Sequence, residues 1–230
     1  MFSGTVFDYN GVLVDDEVLH FAAFRELLEP LGVALTQAEY YHRYIGYDDA
    51  GAFGAVLSDA GRAPTNQQIA ALVQAKRPAY RRLAAGALLG FAGAAELVRR
   101  RAGLGPVLVV SGALRDEIQL GLEQLGVLDC IAHIVSAEDT TAGKPDPQGY
   151  LLALDYLTSV CESSRPARAL VIEDTPAGIQ AAKSAGMVCI AVAHSFSVDE
   201  LKKSSADWVV DQLAAISDQE IAELYARVYP

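Results

Sequence analysis

Apolar residues along the chain change rhythm once, near residue 86. A short apolar run at 3–8 ends in a carboxylate, and helical spacing follows it. Leu19, Ala23, Leu27 and Leu31 stand four apart, with Phe24 and Leu28 beside them. This rhythm continues to about residue 85, interrupted at Glu29-Pro30 and around Ala63-Pro64, with no strand pattern inside it. From Gly86 onward, strand-like runs at 106–110, 131–135, 169–172, 188–192 and 208–210 alternate with helical ones near 114–125, 147–160, 176–185 and 218–228. Such alternation implies right-handed crossovers and a parallel sheet covered by helices on both faces. The simplest assembly adds the 3–8 strand to that sheet. Residues 1–15 and 86–230 then form an α/β core, and 16–85 an inserted all-helical cap.

Composition narrows the function. The chain has 230 residues, 52% of them hydrophobic and 20% charged, which excludes disorder and fibrous classes and leaves a well-packed soluble fold. Its 18 Lys and Arg against 29 Asp and Glu give a net charge of −11. That surface repels phosphate backbones and anionic lipid, so neither nucleic acid nor a membrane is expected as a partner. Cys130, Cys161 and Cys189 are widely spaced and odd in number, which reads as reduced core thiols. No apolar stretch approaches bilayer length, and the first basic residue is Arg25, so neither a span nor a secretory signal is expected. The expected compartment is the cytoplasm.

Open α/β sheets bind ligands at the carboxyl ends of their strands. The predicted ends carry Asp8, Ser111-Gly112 and Glu173-Asp174, with Lys144 in the turn after the 131–135 run. A cluster of Asp8, Glu173 and Asp174 would need a cation among its like charges, and hard oxygen donors without His or Cys suit Mg²⁺. A hydroxyl, a glycine before a helix start and a lysine are the parts of a phosphoryl clamp. Each has a plainer reading. Asp8-Tyr9-Asn10-Gly11 also fits a hairpin turn, Ser111-Gly112 a simple turn, and Lys144-Pro145-Asp146-Pro147 a helix start.

Taken together, in this order at successive strand ends, they resemble the haloacid dehalogenase superfamily. Within it they resemble the branch that contains β-phosphoglucomutase and small sugar-phosphate phosphatases. The carrying residues are Phe7 through Glu17 with His20, Val109-Val110-Ser111-Gly112, Gly143-Lys144-Pro145-Asp146-Pro147, and the stretch from Val171 to Met187 containing Glu173-Asp174-Thr175-Pro176. The resemblance implies a Rossmann-like doubly wound parallel sheet with an inserted helical cap. It implies Asp8 as nucleophile and Mg²⁺ ligand, Asp174 and Glu173 as further ligands, and residue 10 as a ligand through its backbone carbonyl. Ser111, Gly112 and Lys144 would bind the transferring phosphate. The implied partner is a small phosphorylated metabolite, taken by a monomer or weak homodimer.

One position departs from the pattern. The family normally carries a second aspartate where this chain has Asn10, and an amide can neither protonate a leaving oxygen nor deprotonate a water. Losing general acid–base catalysis typically slows a reaction by about 10²–10⁴. Asp15 and Asp16 are the nearest carboxylates downstream, whereas Tyr9, beside Asn10, should face the opposite side. The readings are a phosphatase of phosphate monoesters with impaired turnover, a metabolite-binding descendant, or, less favoured, a mutase. Phosphonate hydrolysis would need an early-cap Schiff-base lysine, and the only lysine before Lys144 is Lys76. Dehalogenation lacks the sugar-phosphate pattern. For specificity the resemblance points to the cap residues Tyr47, Asp48 and Lys76, although residues 76–82 also read as a solvated helix face. No arginine follows Asp48-Asp49 to hold a second phosphate, which favours monophosphates; Arg43 and Arg115 are the other candidates for that role. His42, His133 and His194 show no metal spacing, so zinc is not expected.

Overall fold

The computed structural model describes residues 2–45, 47–160 and 168–229. The chain divides into two compact units, Asp16–Leu88 and the pair Met1–Asp15 with Leu89–Pro230. Among the described residues the smaller unit is helical throughout, with α1 (Glu17–Leu28), the single turn α2 (Gln37–Glu39), α3 (Asp49–Asp59) and α4 (Asn66–Ala84). Local chemistry sets the helix starts. Thr65 accepts the N–H of Gln68 while the Gln68 side chain returns to the Thr65 N–H, and Asp48 accepts the Gly51 N–H at 2.7 Å. Phe21, Phe24 and Leu28 of α1 pack with Phe53, Val56 and Leu57 of α3 in this unit's own core.

The larger unit carries β1 (Gly4–Phe7), β2 (Val14–Asp15), β3 (Leu89–Gly90), β4 (Val107–Val110), β5 (His133–Val135), β6 (Ala169–Glu173), β7 (Val188–Val192) and β8 (Trp208–Val210). Between and after the strands come α5 (Ala94–Ala102), α6 (Arg115–Gln124), α7 (Gln148–Val160), α8 (Pro176–Ser184), α9 (Val198–Leu201) and α10 (Asp218–Val228). Six strands form one sheet in the order β5-β4-β1-β6-β7-β8, every neighbouring pair parallel. Their side chains alternate between two cores, as the period of two requires. Phe7, Val109, Ile172 and Ile190 face α5, α6 and α10, whereas Val6, Leu108, Val171 and Cys189 face α7 and α8. Both faces are buried, which is why these strands read as unbroken apolar runs. This is the doubly wound α/β sheet that the alternation predicts.

Three features lie outside the prediction. β2 and β3 pair antiparallel as a two-residue ribbon, too short to leave a periodic signal. In α5 the run Arg99-Arg100-Arg101 hides an apolar face of Ala94, Leu97 and Val98, and Arg101 is itself buried with its Nε donating to Thr5 Oγ1 at 2.9 Å. The four-residue α9 is shorter than a helical repeat can reveal. Of the predicted core thiols, Cys189 is buried, Cys130 is partly buried, and Cys161 lies outside the described residues. Trp208 of β8 packs half-buried against the core.

The hairpin reading of Asp8-Tyr9-Asn10-Gly11 does not hold, because β1 pairs with β4 and β6 and never turns back on itself. Instead Tyr9 dives into the core, where its hydroxyl donates to the Glu117 carbonyl at 3.1 Å. Gly121 makes room for it: a Cβ there would stand 1.8 Å from the Tyr9 hydroxyl oxygen. Helix propensity favours Gly121→Ala by about 1 kcal/mol, but the clash reverses the sign. Urea unfolding is expected to show Gly121→Ala less stable than the native chain by about 1–3 kcal/mol, and a gain in stability would show that Tyr9 is loosely held.

Candidate active site

The central strand sets the first functional side chain. Asp8 follows β1 directly, its N–H donating to the Ile172 carbonyl of β6 at 3.0 Å. β4 and β6 flank β1, and their ends bring Ser111 on one side and Glu173-Asp174 on the other. This is where strand order reverses, the position at which open α/β sheets bind their ligands. Lys144 enters from the loop after β5. Asp8, Ser111, Lys144, Glu173 and Asp174, singled out from sequence, thus meet at one end of one sheet.

Their contacts are specific. The Lys144 ammonium donates to Asp8 Oδ1 and to Glu173 Oε1, both at 2.6 Å, and its third proton points toward the Val110 carbonyl at 3.4 Å. Glu173 Oε1 also accepts the Tyr150 hydroxyl at 2.9 Å, while Oε2 accepts the N–H groups of Asp174 and Thr175. Asp174 Oδ2 accepts the Ser195 hydroxyl, and its other oxygen, Oδ1, is buried with no hydrogen-bond partner. Ser111 Oγ accepts the Ala113 N–H at 3.1 Å and donates to Asn10 Oδ1 at 3.2 Å. Gly112 is exposed, and a Cβ there would meet open space.

Charge at the site is unbalanced. Oxygens of Asp8, Glu173 and Asp174 lie within 4.8 Å of one another, all three residues buried, against one ammonium. Burial pushes the Asp8 carboxyl up to about 7, despite the pull of Lys144. Asp174 is driven well up by burial and then by the charges of Glu173 and Asp8. Glu173 is held below the ordinary range: burial opposes this, but Lys144 and the hydrogen bonds outweigh it. Lys144 is raised, its two carboxylates overcoming its own burial. Two carboxylates pushed toward protonation and one orphaned oxygen are a donor set that fits a cation. All donors are oxygen, which suits Mg²⁺ over zinc or copper.

Several further residues, to which the sequence assigned no role, support the site. Tyr150, Thr175 and Ser195 hydrogen-bond the carboxylates, and His194 donates from Nδ1 to the Gly11 carbonyl at 2.8 Å while stacking on Phe91 at 3.8 Å between ring centroids. Thr175 lies in the Glu173-Asp174-Thr175-Pro176 stretch that carries the resemblance, whereas Ser195 and His194 sit on a turn with no motif.

In the smaller unit, the expectation of a solvated face fails for part of residues 76–82. Lys76 is 0% exposed, as is Tyr80, while Arg81 and Arg82 do face solvent. The Lys76 ammonium pairs with Asp49, donates to His20 Nδ1 at 2.7 Å and sits 4.4 Å above the Phe24 ring. Asp16 accepts the Tyr80 hydroxyl and lies 3.2 Å from His20 Nε2. Asp48 is occupied in capping α3, whereas Tyr47 is 57% exposed.

A family model for haloacid dehalogenase-like hydrolases matches residues 3–186. The chain belongs to this family. Among curated members, the validoxylamine A 7'-phosphate phosphatase of Streptomyces hygroscopicus subsp. limoneus is 35% identical over 48% of the chain. That alignment spans 49% of the relative's own length, about half. The phosphorylated carbohydrates phosphatase of Thermotoga maritima is 29% identical over 84% of the chain and 86% of its own. Among solved structures, a β-phosphoglucomutase from Clostridium difficile superposes with a TM-score of 0.83 at 22% identity, covering 99% of this chain and 98% of that one. At that identity the likeness speaks for a shared fold, that of a haloacid dehalogenase-like hydrolase. No helix among the described residues is long and apolar enough to cross a membrane.

The ion pairs at the site make a stability prediction. Lys144→Met leaves Asp8 and Glu173 buried without their shared counter-charge, and urea unfolding at pH 8 in chelator should show a loss of about 3–5 kcal/mol. Adding Asp8→Asn to that variant should restore part of the loss. Equal stability of Lys144→Met and the native chain would show that the ammonium does not hold the carboxylates.

Proposed function

We propose that this chain is a Mg²⁺-dependent phosphatase of small phosphate monoesters, phosphosugars foremost, working through an aspartyl-phosphate on Asp8. The observation that carries the reading is the Lys144 ammonium joining Asp8 to Glu173 beside the unpartnered Asp174 oxygen. The names of the two phosphatase relatives support the substrate class.

Asp8, Glu173, Asp174 and the Asn10 backbone carbonyl would hold the cation, which supplies positive charge to the transferring phosphoryl group. Lys144 offsets further phosphate charge and orients the Asp8 carboxylate for in-line attack. Attack forms a bond from Asp8 oxygen to phosphorus as the bond to the substrate oxygen breaks, and water then cleaves the acyl-phosphate. Ser111 and the N–H of Gly112, with open space around it, are assigned to the phosphate oxygens. Arg43 and Arg115, the candidates for a second phosphate, are engaged with Asp59 at 2.6 Å and with Asp139 at 2.5 Å. Those engagements favour monophosphates. Of the cap candidates, Tyr47 and Asp48 are exposed and Lys76 is buried.

Asn10 is where turnover should falter. Its amide occupies the acid–base position, and neither downstream carboxylate replaces it well: Asp16 is buried against Tyr80 and His20, and Asp15 is exposed in β2. That observation favours the second reading, a protein that binds phosphorylated metabolites with little turnover. Phosphate release from an aryl phosphate and a sugar-phosphate panel, with and without Mg²⁺, separates the two. Asn10→Asp is expected to raise kcat by about 10²–10⁴. Comparable turnover by the native chain would mean that another group carries the proton, and silence from both proteins with tight binding of a phosphate analogue would favour the binding reading.

A further inference from the structure

The turn after β7 reaches the site at two points. His194 donates from Nδ1 to the carbonyl of Gly11, and the next residue, Ser195, donates its hydroxyl to Asp174 Oδ2. Gly11 has φ +77°, a conformation that disfavours side chains, and a Cβ there would stand 2.1 Å from Asp174 Oδ2 and 2.9 Å from Ser195 Oγ. The glycine, the carboxylate and the serine therefore occupy one packed knot with room for nothing larger. Stacking on Phe91 holds the His194 ring in place, so the turn is anchored independently of Asp174.

We propose that Ser195 is a positioning residue that fixes which oxygen of Asp174 faces the cation. Its hydroxyl occupies Oδ2 and leaves Oδ1, buried and without a partner, as the oxygen presented for coordination. Glu173 is held by Tyr150, Thr175 and Lys144. Ser195 does for one acidic ligand what those groups do for the other, from a segment that carries no recognisable motif. Partners that orient a ligating carboxylate typically change metal affinity by 10- to 100-fold when removed.

This inference rests on the proposed cation site, and the test keeps the two apart. Mg²⁺ is titrated calorimetrically into the chelator-treated native protein, Ser195→Ala and Ser195→Cys, with Asp174→Asn as the variant lacking the ligand. Melting temperatures in chelator verify that each variant is folded. Ser195→Ala is expected to bind Mg²⁺ about 10- to 100-fold more weakly than the native chain at a nearly unchanged melting temperature. Ser195→Cys, nearly isosteric and a weak donor, should also bind more weakly, and it decides the matter if the alanine variant does not fold. Native-like Mg²⁺ affinity in the folded variants overturns the role of Ser195 and leaves the cation site standing. A native protein that takes up no Mg²⁺ overturns both.

Discussion

Three buried carboxylates drawn within 4.8 Å of one another are the constraint around which the larger unit is built. Water would separate such charges, so the fold has to supply what water withholds. It does so with one ammonium bridging two of the acids, with hydroxyls from Tyr150, Thr175 and Ser195, and with backbone N–H groups at the start of α8. Space is as necessary as charge. A Cβ at Gly178 would stand 1.7 Å from Glu173 Oε1, and one at Gly11 would strike Asp174. Even so the compensation is incomplete, because Asp8 and Asp174 remain pushed toward protonation. Incomplete compensation of this kind suits a group of carboxylates able to take a cation.

What was legible in the sequence follows from how each part is encoded. The sheet was readable because a parallel strand buried on both faces must be apolar at every position, as Val107-Leu108-Val109-Val110 is. The site was readable because the chemistry sits next to those strands, so Asp8, Ser111 and Glu173-Asp174 fall where each apolar run stops. Lys144 was found by its neighbouring prolines and its place in the order. Ser195, His194 and Tyr150 were not, since each acts by a contact between segments distant in sequence. Ser195 lies 21 positions from the carboxylate it holds, and His194 lies 183 from the carbonyl it caps. Nothing in a local pattern announces such a partner.

The helical unit shows the reverse failure, a polar pattern that reads as surface and is interior. Lys76 lies beside charged neighbours and looks solvated, yet its ammonium is enclosed by Asp49, His20 and the Phe24 face. Asp16, half-buried Glu17 and Tyr40 extend these polar groups, with the Tyr40 hydroxyl donating to Glu17 at 2.8 Å. A network like this adds little stability over a hydrophobic core of the same volume, because its groups are desolvated before they are paired. It does enforce geometry: few alternative packings satisfy every donor and acceptor at once. That restriction fixes the positions of α1, α3 and α4 relative to one another.

Asn10 ties the two themes together, since it is a local residue whose effect is electrostatic. A carboxylate there would be a fourth acid in a site that already has more negative charge than Lys144 balances. The amide removes that charge and keeps the hydrogen bond from Ser111 Oγ. With less repulsion, an incoming phosphate dianion meets a more favourable potential than it would beside an aspartate. On the proposed mechanism, the same exchange would take away the group that moves a proton to the leaving oxygen. On the function proposed above, this one exchange would pull binding and turnover in opposite directions, and the electrostatics would favour a site that holds phosphate better than it releases the alcohol.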